Sequence, residues 1–352
     1  MKIAPIVREC DRRRDSFEYK IVHTGQHYDS GMSDIFFEEL GIPTPDYHLE
    51  VGSGGHSEQT AKIMTAFDPV CAQEKPGCVL LVGDVNSTLA CAIVAKKLHF
   101  PVAHIEAGLR SGDHEMPEEI NRLVTDAITD YFFVTEPSGL AHLRKEGHSD
   151  DSLYFVGHVM IDNLYFELER VSSGQNSREI LPSGIDLDNY GVVTLHRPSN
   201  VDSKEPLEEI VSALNELAQS MDFVFPVHPR TRQRLSEFGL VLDEHVHLLE
   251  PLGYRDFLKI WKDARLVLTD SGGLQEETTA LGVACLTLRD NTERPVTVEM
   301  GTNKIVGNDK AKIVSEARLA LSSGRVDAKC PPLWDGTASA RILDALAEIF
   351  DV

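Results

Sequence analysis

The sequence predicts an α/β protein made of two doubly wound domains. Short apolar segments alternate with stretches of helical pattern along the whole chain. These segments are β-branched and nearly continuous, as strands covered on both faces are. The alternation also restarts after a polar stretch, SSGQNSREILPSGIDLDN (172–189). Two successive βα series imply two parallel sheets. The expected domains are residues 1–170 and 171–337, with a last helix in 338–352 returning to the first.

In the first series, YKIVHT (19–24), CVLLVGD (78–84), PVAHIEAG (101–108) and YFFVT (131–135) read as strands. Helices are expected over Asn86–Leu98, with Asn86 or Ser87 as N-cap, and over Pro117–Ile128, with Pro117 at the first helical position. In the second series the strands are YGVVTLH (190–196), DFVFPVH (222–228), VHLLE (246–250), RLVLTD (265–270) and VACLTL (283–288). Leu207, Ile210, Val211, Leu214 and Leu217 recur at helical spacing and form one apolar face.

The chain has 352 residues, a hydrophobic fraction of 42% and a formal net charge of −22. That balance argues against disorder, and against a nucleic-acid surface or an anionic membrane patch, both of which need clustered cations. No run of apolar residues is long enough to span a bilayer, and the start lacks a signal-peptide core. The six cysteines form no CxxC pair, so neither a zinc site nor a disulfide framework is expected, and a reduced cytoplasmic setting fits. No metal or other cofactor is expected.

Polar residues collect where strands end, the edge at which open α/β sheets bind ligands. In TDSGGLQEE (269–277), Ser271, Gly272 and Gly273 form a small turn before a helix whose free N–H groups suit a phosphate. Glu277, one turn in, is placed to accept hydrogen bonds from ribose hydroxyls; a plain capped turn explains the string equally well. TLHRP (194–198) and PVHPR (226–230) set His196 and His228 after neighbouring strands, with Arg197 able to add charge-assisted hydrogen bonds. Structural roles for these histidines stay open. Asp84 and Glu106 end strands, and Glu118 opens a helix with Arg122 following. Three acids at one cleft would supply acid–base groups to both faces of a ring, although helix-start acids also simply complement the dipole. RDNTERPVT (289–297), carrying Arg294, reads by itself as a solvated charged loop.

Taken in order, GQH (25–27), GDVNST (83–88), HIEAGLRSGD (104–113), PEEINR (117–122), VGHVMID (156–162), TLHRP, PVHPR, TDSGGLQEE and RDNTERP resemble the non-hydrolysing UDP-N-acetylglucosamine 2-epimerase family. The resemblance runs from residue 1 to about residue 345. It implies two facing Rossmann-like domains of the glycosyltransferase-B kind, an active site in the cleft between them, a UDP-sugar substrate and a homodimer. It also implies site residues. Asp84, Glu106 and Glu118 match the acid–base carboxylates, and His196 the histidine near the diphosphate and reaction centre. Ser271, Gly272 and Gly273 match the phosphate turn, Glu277 the ribose ligand, Arg294 a nucleotide-facing arginine and Phe257 the uridine pocket. Lys2 matches a substrate-contacting lysine. His27, Arg122 and His228 fall on family motifs without a defined role. Gln26 resembles one residue of a regulatory site whose remaining pattern is unmatched.

Family members begin with a strand and a Gly-Thr-Arg-Pro-Glu loop, then a helix containing Ile-Lys-x-Ala-Pro. This chain begins at MKIAPIV, inside that helix. The resemblance therefore implies a missing strand and loop arginine, and a chain of this length is expected to fold poorly or be nearly inactive. Reversible C2 epimerisation of UDP-N-acetylglucosamine is the expected activity. The alternatives are an epimerase for a related diacetamido sugar or uronate, a hydrolysing epimerase, a glycosyltransferase of the same fold, and an inactive UDP-binding form.

Overall fold

A computed structural model describes residues 1–25, 37, 40–172, 180–323 and 330–352. Gln26 and His27 lie outside the described residues. The chain divides into two compact units, Met1–Asn163 with Pro332–Val352, and Leu164–Pro331. Among the described residues no helix is long and apolar enough to cross a membrane.

The first unit opens with α1 (Ala4–Arg12), then β1 (Val22–His23) and β2 (Tyr47–His48), a separate parallel pair. The expected strand over 19–24 thus shortens to two residues and, among the described residues, joins only β2. After α2 (His56–Glu74) come β3 (Val79–Val82), α3 (Asn86–Lys97), β4 (Val102–Ile105), α4 (Pro117–Ile128), β5 (Tyr131–Val134), α5 (Pro137–Lys145) and β6 (Leu153–Phe155), then α6 (Val159–Ser172), whose residues from Leu164 on belong to the second unit. The four strands pair in parallel in the order β3-β4-β5-β6. Side chains alternate across a strand, so the sheet has two apolar faces. On one, Ala103, Ile105 and Phe133 pack against Ile6 and Cys10 of α1 and against Ile342, Leu343 and Leu346 of the C-terminal helix. On the other, Val79, Leu81 and Val102 pack against Ile63 and Phe67 of α2 and Cys91 and Val94 of α3. Val85 is the N-cap of α3; Asn86 and Ser87 lie inside the helix, so neither caps it. Asp162, from the VGHVMID string, accepts from the backbone N–H of Ala338 at 3.0 Å and of Ser339 at 2.6 Å. It thereby caps the start of the C-terminal helix.

A buried charge network underlies the end of β4. His104 is wholly buried, with Nδ1 2.7 Å from Asp126 Oδ1 and Nε2 2.8 Å from the Gly83 carbonyl. A carbonyl and an ionised carboxylate only accept, so both ring nitrogens donate and His104 is an imidazolium. Asp126 also pairs with Arg110 at 2.7 Å, and Arg110 meets Glu146 through two nitrogens at 2.9 and 2.7 Å. The four charges cancel. Burial opposes both ionised forms, yet Asp126 holds His104 above the usual imidazole range, while His104 and Arg110 hold Asp126 below the usual carboxylate range.

The second unit contains β7 (Tyr190–Thr194), α7 (Pro198–Val201), α8 (Lys204–Leu217), β8 (Asp222–Pro226), α9 (Pro229–Phe238), β9 (Val246–Leu249) and α10 (Tyr254–Trp261). Then follow β10 (Leu266–Thr269), α11 (Gly272–Leu281), β11 (Cys285–Thr287), α12 (Pro295–Glu299), β12 (Asn303–Ile305) and α13 (Lys310–Ser322). The helix α14 (Ala338–Phe350) belongs to the first unit. The parallel six-stranded order is β12-β11-β10-β7-β8-β9. Read from the other edge, the strands run third, second, first, fourth, fifth, sixth within the unit. The order reverses between β7 and β10, and such a switch point opens a crevice at the strand ends. The apolar stripe of α8 is buried on the sheet at every expected position.

Gly191 lies in central β7, where an added Cβ would sit 2.4 Å from Phe223 Cε1. Gly191→Ala is expected to destabilise the chain by about 1–3 kcal/mol through overpacking, read by denaturant unfolding. Asp126→Asn, which leaves buried cations uncompensated, is expected to cost about 3–5 kcal/mol. The His104 contribution is present below its unfolded pKa and lost as pH rises through its raised folded value. That of Asp126 is present above its unfolded pKa and lost as pH falls through its depressed folded value. The gap between wild type and Asp126→Asn should therefore narrow at both ends of a pH series. A gap independent of pH would contradict the network.

Candidate functional site

In the first unit, Val82 of β3 lies opposite Ile105 of β4, so Asp84 and Glu106 leave the sheet at the same edge. Gly83 turns the chain at φ +77°, and its N–H donates to the Ile105 carbonyl at 3.1 Å. Glu106 itself has φ +68°, a left-handed backbone that side chains disfavour by about 1–2 kcal/mol. Such strain persists where surroundings over-determine it, often at working sites. The Glu106 side chain is buried, and Lys2 Nζ donates to its Oε2 at 2.6 Å.

Helix α4 closes over this edge. Asn121 Nδ2 donates to the Asp84 carbonyl at 2.9 Å, and Arg122 Nη1 pairs with the Asp84 carboxylate. Arg122 Nε reaches Glu119 at 3.0 Å. Glu119 also accepts from the N–H of Ser111 at 2.9 Å and of Gly112 at 3.0 Å, fixing the loop after β4. Burial raises a carboxyl's pKa, but those two N–H groups and Arg122 hold Glu119 below its usual range. Arg122 is thus buried between two carboxylates, its guanidinium engaged within the protein. Glu118 precedes Asn121 and Arg122 by three and four residues, so it shares their helix face. It is half-buried and has no side-chain partner among the described residues.

In the second unit, Thr194 and Thr269 are paired at the switch point, their hydroxyls 2.7 Å apart. Just beyond them lie His196, Arg197 and Asp270. Asp270 is wholly buried. Its Oδ2 accepts from the N–H of His196 at 3.0 Å and of Arg197 at 2.9 Å, and from Asn200 Nδ2 at 3.3 Å. Its Oδ1 lies 2.8 Å from His196 Nδ1. Against burial, the His196 ring and the two N–H groups hold the carboxyl below its usual range. Helix α11 begins at Gly272 with Ser271 as N-cap, and the Ser271 hydroxyl makes no capping bond. The first N–H groups of α11 thus suit an anion.

The RDNTERP loop folds over that helix start, so its charges are not solvated. A Cβ on Gly272 would sit 2.9 Å from Glu293 Oε1. Arg289 donates to Glu293 at 2.8 Å. Burial raises the Glu293 pKa, but Arg294 and Arg289 pull it down to about 2. Arg294 is buried against Glu276. Gln275 Oε1 accepts from Thr292 at 2.7 Å and Asn303 at 3.2 Å, tying the loop to α11 and β12.

Glu277 is buried and accepts from the Tyr254 hydroxyl at 2.7 Å. Burial pushes its pKa up to about 8, with Tyr254 opposing and Glu276 adding to the rise. A carboxyl shifted in this direction holds its proton more readily than a surface glutamate, and a protonated carboxyl can donate one hydrogen bond as well as accept. Phe257 follows Tyr254 by three residues on α10 and is half-buried on the same side. His228 is the N-cap of α9; its Nδ1 accepts from the Arg230 N–H at 3.3 Å. The ring is exposed.

The structure thus gathers Lys2, Asp84, Glu106, Glu118 and Arg122 around the ends of β3 and β4. It gathers His196, Arg197, Ser271, Gly272 and Gly273 at the switch point of the second unit, with Glu277, Phe257 and Arg294 along α11 and its neighbours. Sequence reasoning missed Asp270, Glu119 and the His104–Asp126 pair. Asp270 ends a strand in TDSGGLQEE, and that position was the available signal.

Known proteins resemble this chain in sequence and fold. A family model described as UDP-N-acetylglucosamine 2-epimerase matches residues 8–347. A UDP-N-acetylglucosamine 2-epimerase of Methanocaldococcus jannaschii is 42% identical over 352 residues, covering 98% of this chain and 95% of the relative. A UDP-2,3-diacetamido-2,3-dideoxy-D-glucuronate 2-epimerase of Pseudomonas aeruginosa is 41% identical over 351 residues, covering 98% of this chain and 96% of the relative. The crystal structure of the Methanocaldococcus jannaschii enzyme in complex with UDP-GlcNAc and UDP has a TM-score of 0.87 to this chain at 42% identity, covering 99% of this chain and 96% of that one. Likeness of sequence and fold over nearly the whole length of both chains leaves one conclusion: the chain belongs to the UDP-N-acetylglucosamine 2-epimerase family.

Proposed function

We propose that the chain interconverts UDP-N-acetylglucosamine and UDP-N-acetylmannosamine by inversion at C2, without hydrolysing the sugar nucleotide. The observation that carries this reading is the 42%-identical structure in complex with UDP-GlcNAc and UDP. The strand-end carboxylates of the first unit supply the chemistry that the reaction requires.

The C2 hydrogen of an N-acetylhexosamine is not acidic by itself. Breaking the C1–oxygen bond places positive charge on C1 and makes loss of the neighbouring proton feasible. The C1–oxygen pair leaves with UDP, and the C2–hydrogen pair becomes the C1–C2 double bond of a 2-acetamidoglucal. UDP then adds back to C1 while a proton reaches the opposite face of C2. The sequence is redox-neutral and consumes nothing. In this reading Asp84, Glu106 and Glu118 handle the C2 proton, Lys2 orients Glu106, and Arg122 aligns Asp84. His196, Arg197 and the start of α11 hold the diphosphate, which stabilises the leaving group. His228 contributes its exposed ring. Glu277 meets the ribose, Phe257 the uracil, and Arg294 stands beside the nucleotide.

A second reading is favoured by the Pseudomonas aeruginosa relative, which is 41% identical and is named for a diacetamido uronate. The same C2 chemistry would then act on a UDP-2,3-diacetamido-2,3-dideoxyuronate. Offering both sugars to the purified protein in D₂O, followed by NMR, distinguishes the two.

Epimerisation should incorporate solvent deuterium at C2, and full retention of the original hydrogen would sink the elimination route. Glu118→Gln and Asp84→Asn should each lower kcat by about 10²-fold or more, with UDP binding changed only a few-fold. A Glu118 change that shifts only KM would return that residue to a helix-dipole role. If Glu277 works as a neutral acid, Glu277→Gln should bind UDP within about threefold of wild type, whereas Glu277→Ala should weaken it by about tenfold or more. Equal losses in both variants would show that the ionised form is the one required.

A further inference from the structure

We infer that Asp270 is a positioning residue that decides which nitrogen of His196 meets the ligand. The inference rests on the reading above that His196 faces the reacting diphosphate. Asp270 uses its two oxygens differently. Oδ2 accepts from the N–H groups of His196 and Arg197 and from Asn200 Nδ2, at 2.9 to 3.3 Å. Oδ1 lies 2.8 Å from His196 Nδ1, and 3.2 Å from the same His196 N–H. Asn200 in turn donates to the Leu288 carbonyl at 2.8 Å, and Arg197 Nε donates to the Asp270 carbonyl at 3.1 Å. The carboxylate therefore cannot rotate without breaking several bonds in a wholly buried place.

An ionised carboxylate only accepts, so the proton shared with the ring belongs to Nδ1. The His196 side chain is 49% exposed, which leaves Nε2 as the nitrogen that can meet a ligand. Folding alone does not require this arrangement. The backbone N–H groups can be served by one oxygen, and an asparagine would still supply it. Its amide NH₂ would then face Nδ1 and donate to it. A neutral ring would have to carry its proton on Nε2, and the working nitrogen could no longer accept one.

The test compares wild type, Asp270→Asn and His196→Gln, with thermal unfolding as the folding control. In ¹⁵N-histidine spectra of the neutral ring, the wild-type proton should sit on Nδ1, and that of Asp270→Asn on Nε2. The His196→Gln spectrum assigns the signals. Asp270→Asn should lower kcat by about 10²-fold or more and leave KM within about threefold. A wild-type proton on Nε2 overturns the inference, and so does an Asp270→Asn enzyme with kcat within about threefold of wild type. Should Asp270→Asn not fold, the wild-type spectrum alone decides. If His196→Gln turns over like wild type while the wild-type proton sits on Nδ1, the role given to His196 fails, and the inference with it.

Discussion

A buried carboxylate needs donors around it, and that need shapes the working loops of both units. Asp270 collects the backbone N–H groups of His196 and Arg197, so the loop after β7 follows the strand β10 that carries the acid. In the first unit Glu119 collects Ser111 and Gly112, while Asp126 holds the Gly108 N–H at 3.0 Å together with His104. Without its donors each acid would lose far more in desolvation than a surface carboxylate. The loops are thus fixed by the same groups that stabilise the fold. Precise side-chain placement follows, which proximity and orientation in a site depend on.

Charge is handled differently in the two units. Around β3 and β4, carboxylates are paired with Lys2 and Arg122, groups that hold them in place. Around α11 the acids Glu276 and Glu293 are paired with arginines, while Glu277, lacking a cationic neighbour of that kind, is pushed up to about 8. Two adjacent glutamates therefore sit in different electrostatic surroundings, because one faces Arg294 and the other a tyrosine hydroxyl. The net charge of −22 hides this organisation. What matters for an anionic ligand is the helix start and the few cations beside it, not the average.

The strands with continuous β-branched runs were legible, because burial on both faces leaves no polar position to break the pattern. Helix α8 was legible through its 3.6-residue stripe, and α4 through Pro117. The short strands Tyr47–His48, Leu153–Phe155 and Asn303–Ile305 were not, since two or three residues carry no period. RDNTERP looks solvated in sequence because its partners lie elsewhere in the chain; Glu276 and Gln275 bury it. The start of α3 misled for a local reason, as Asn86 serves Gln59 and Asn121 instead of the helix end. Candidate acids could be named from strand ends and from family resemblance. Which of them position others, as Asp270 and Glu119 do, depends on contacts across many residues.

The central claim is that the C1–oxygen bond breaks while UDP stays bound and is then used again. Positional isotope exchange tests it directly. UDP-N-acetylglucosamine labelled with ¹⁸O in the bridge between C1 and the β-phosphorus is incubated with the protein and examined by ³¹P NMR. Label should move from the bridge to non-bridging β-phosphate positions at a rate comparable to epimerisation. Epimer formed with the label still wholly in the bridge would contradict it.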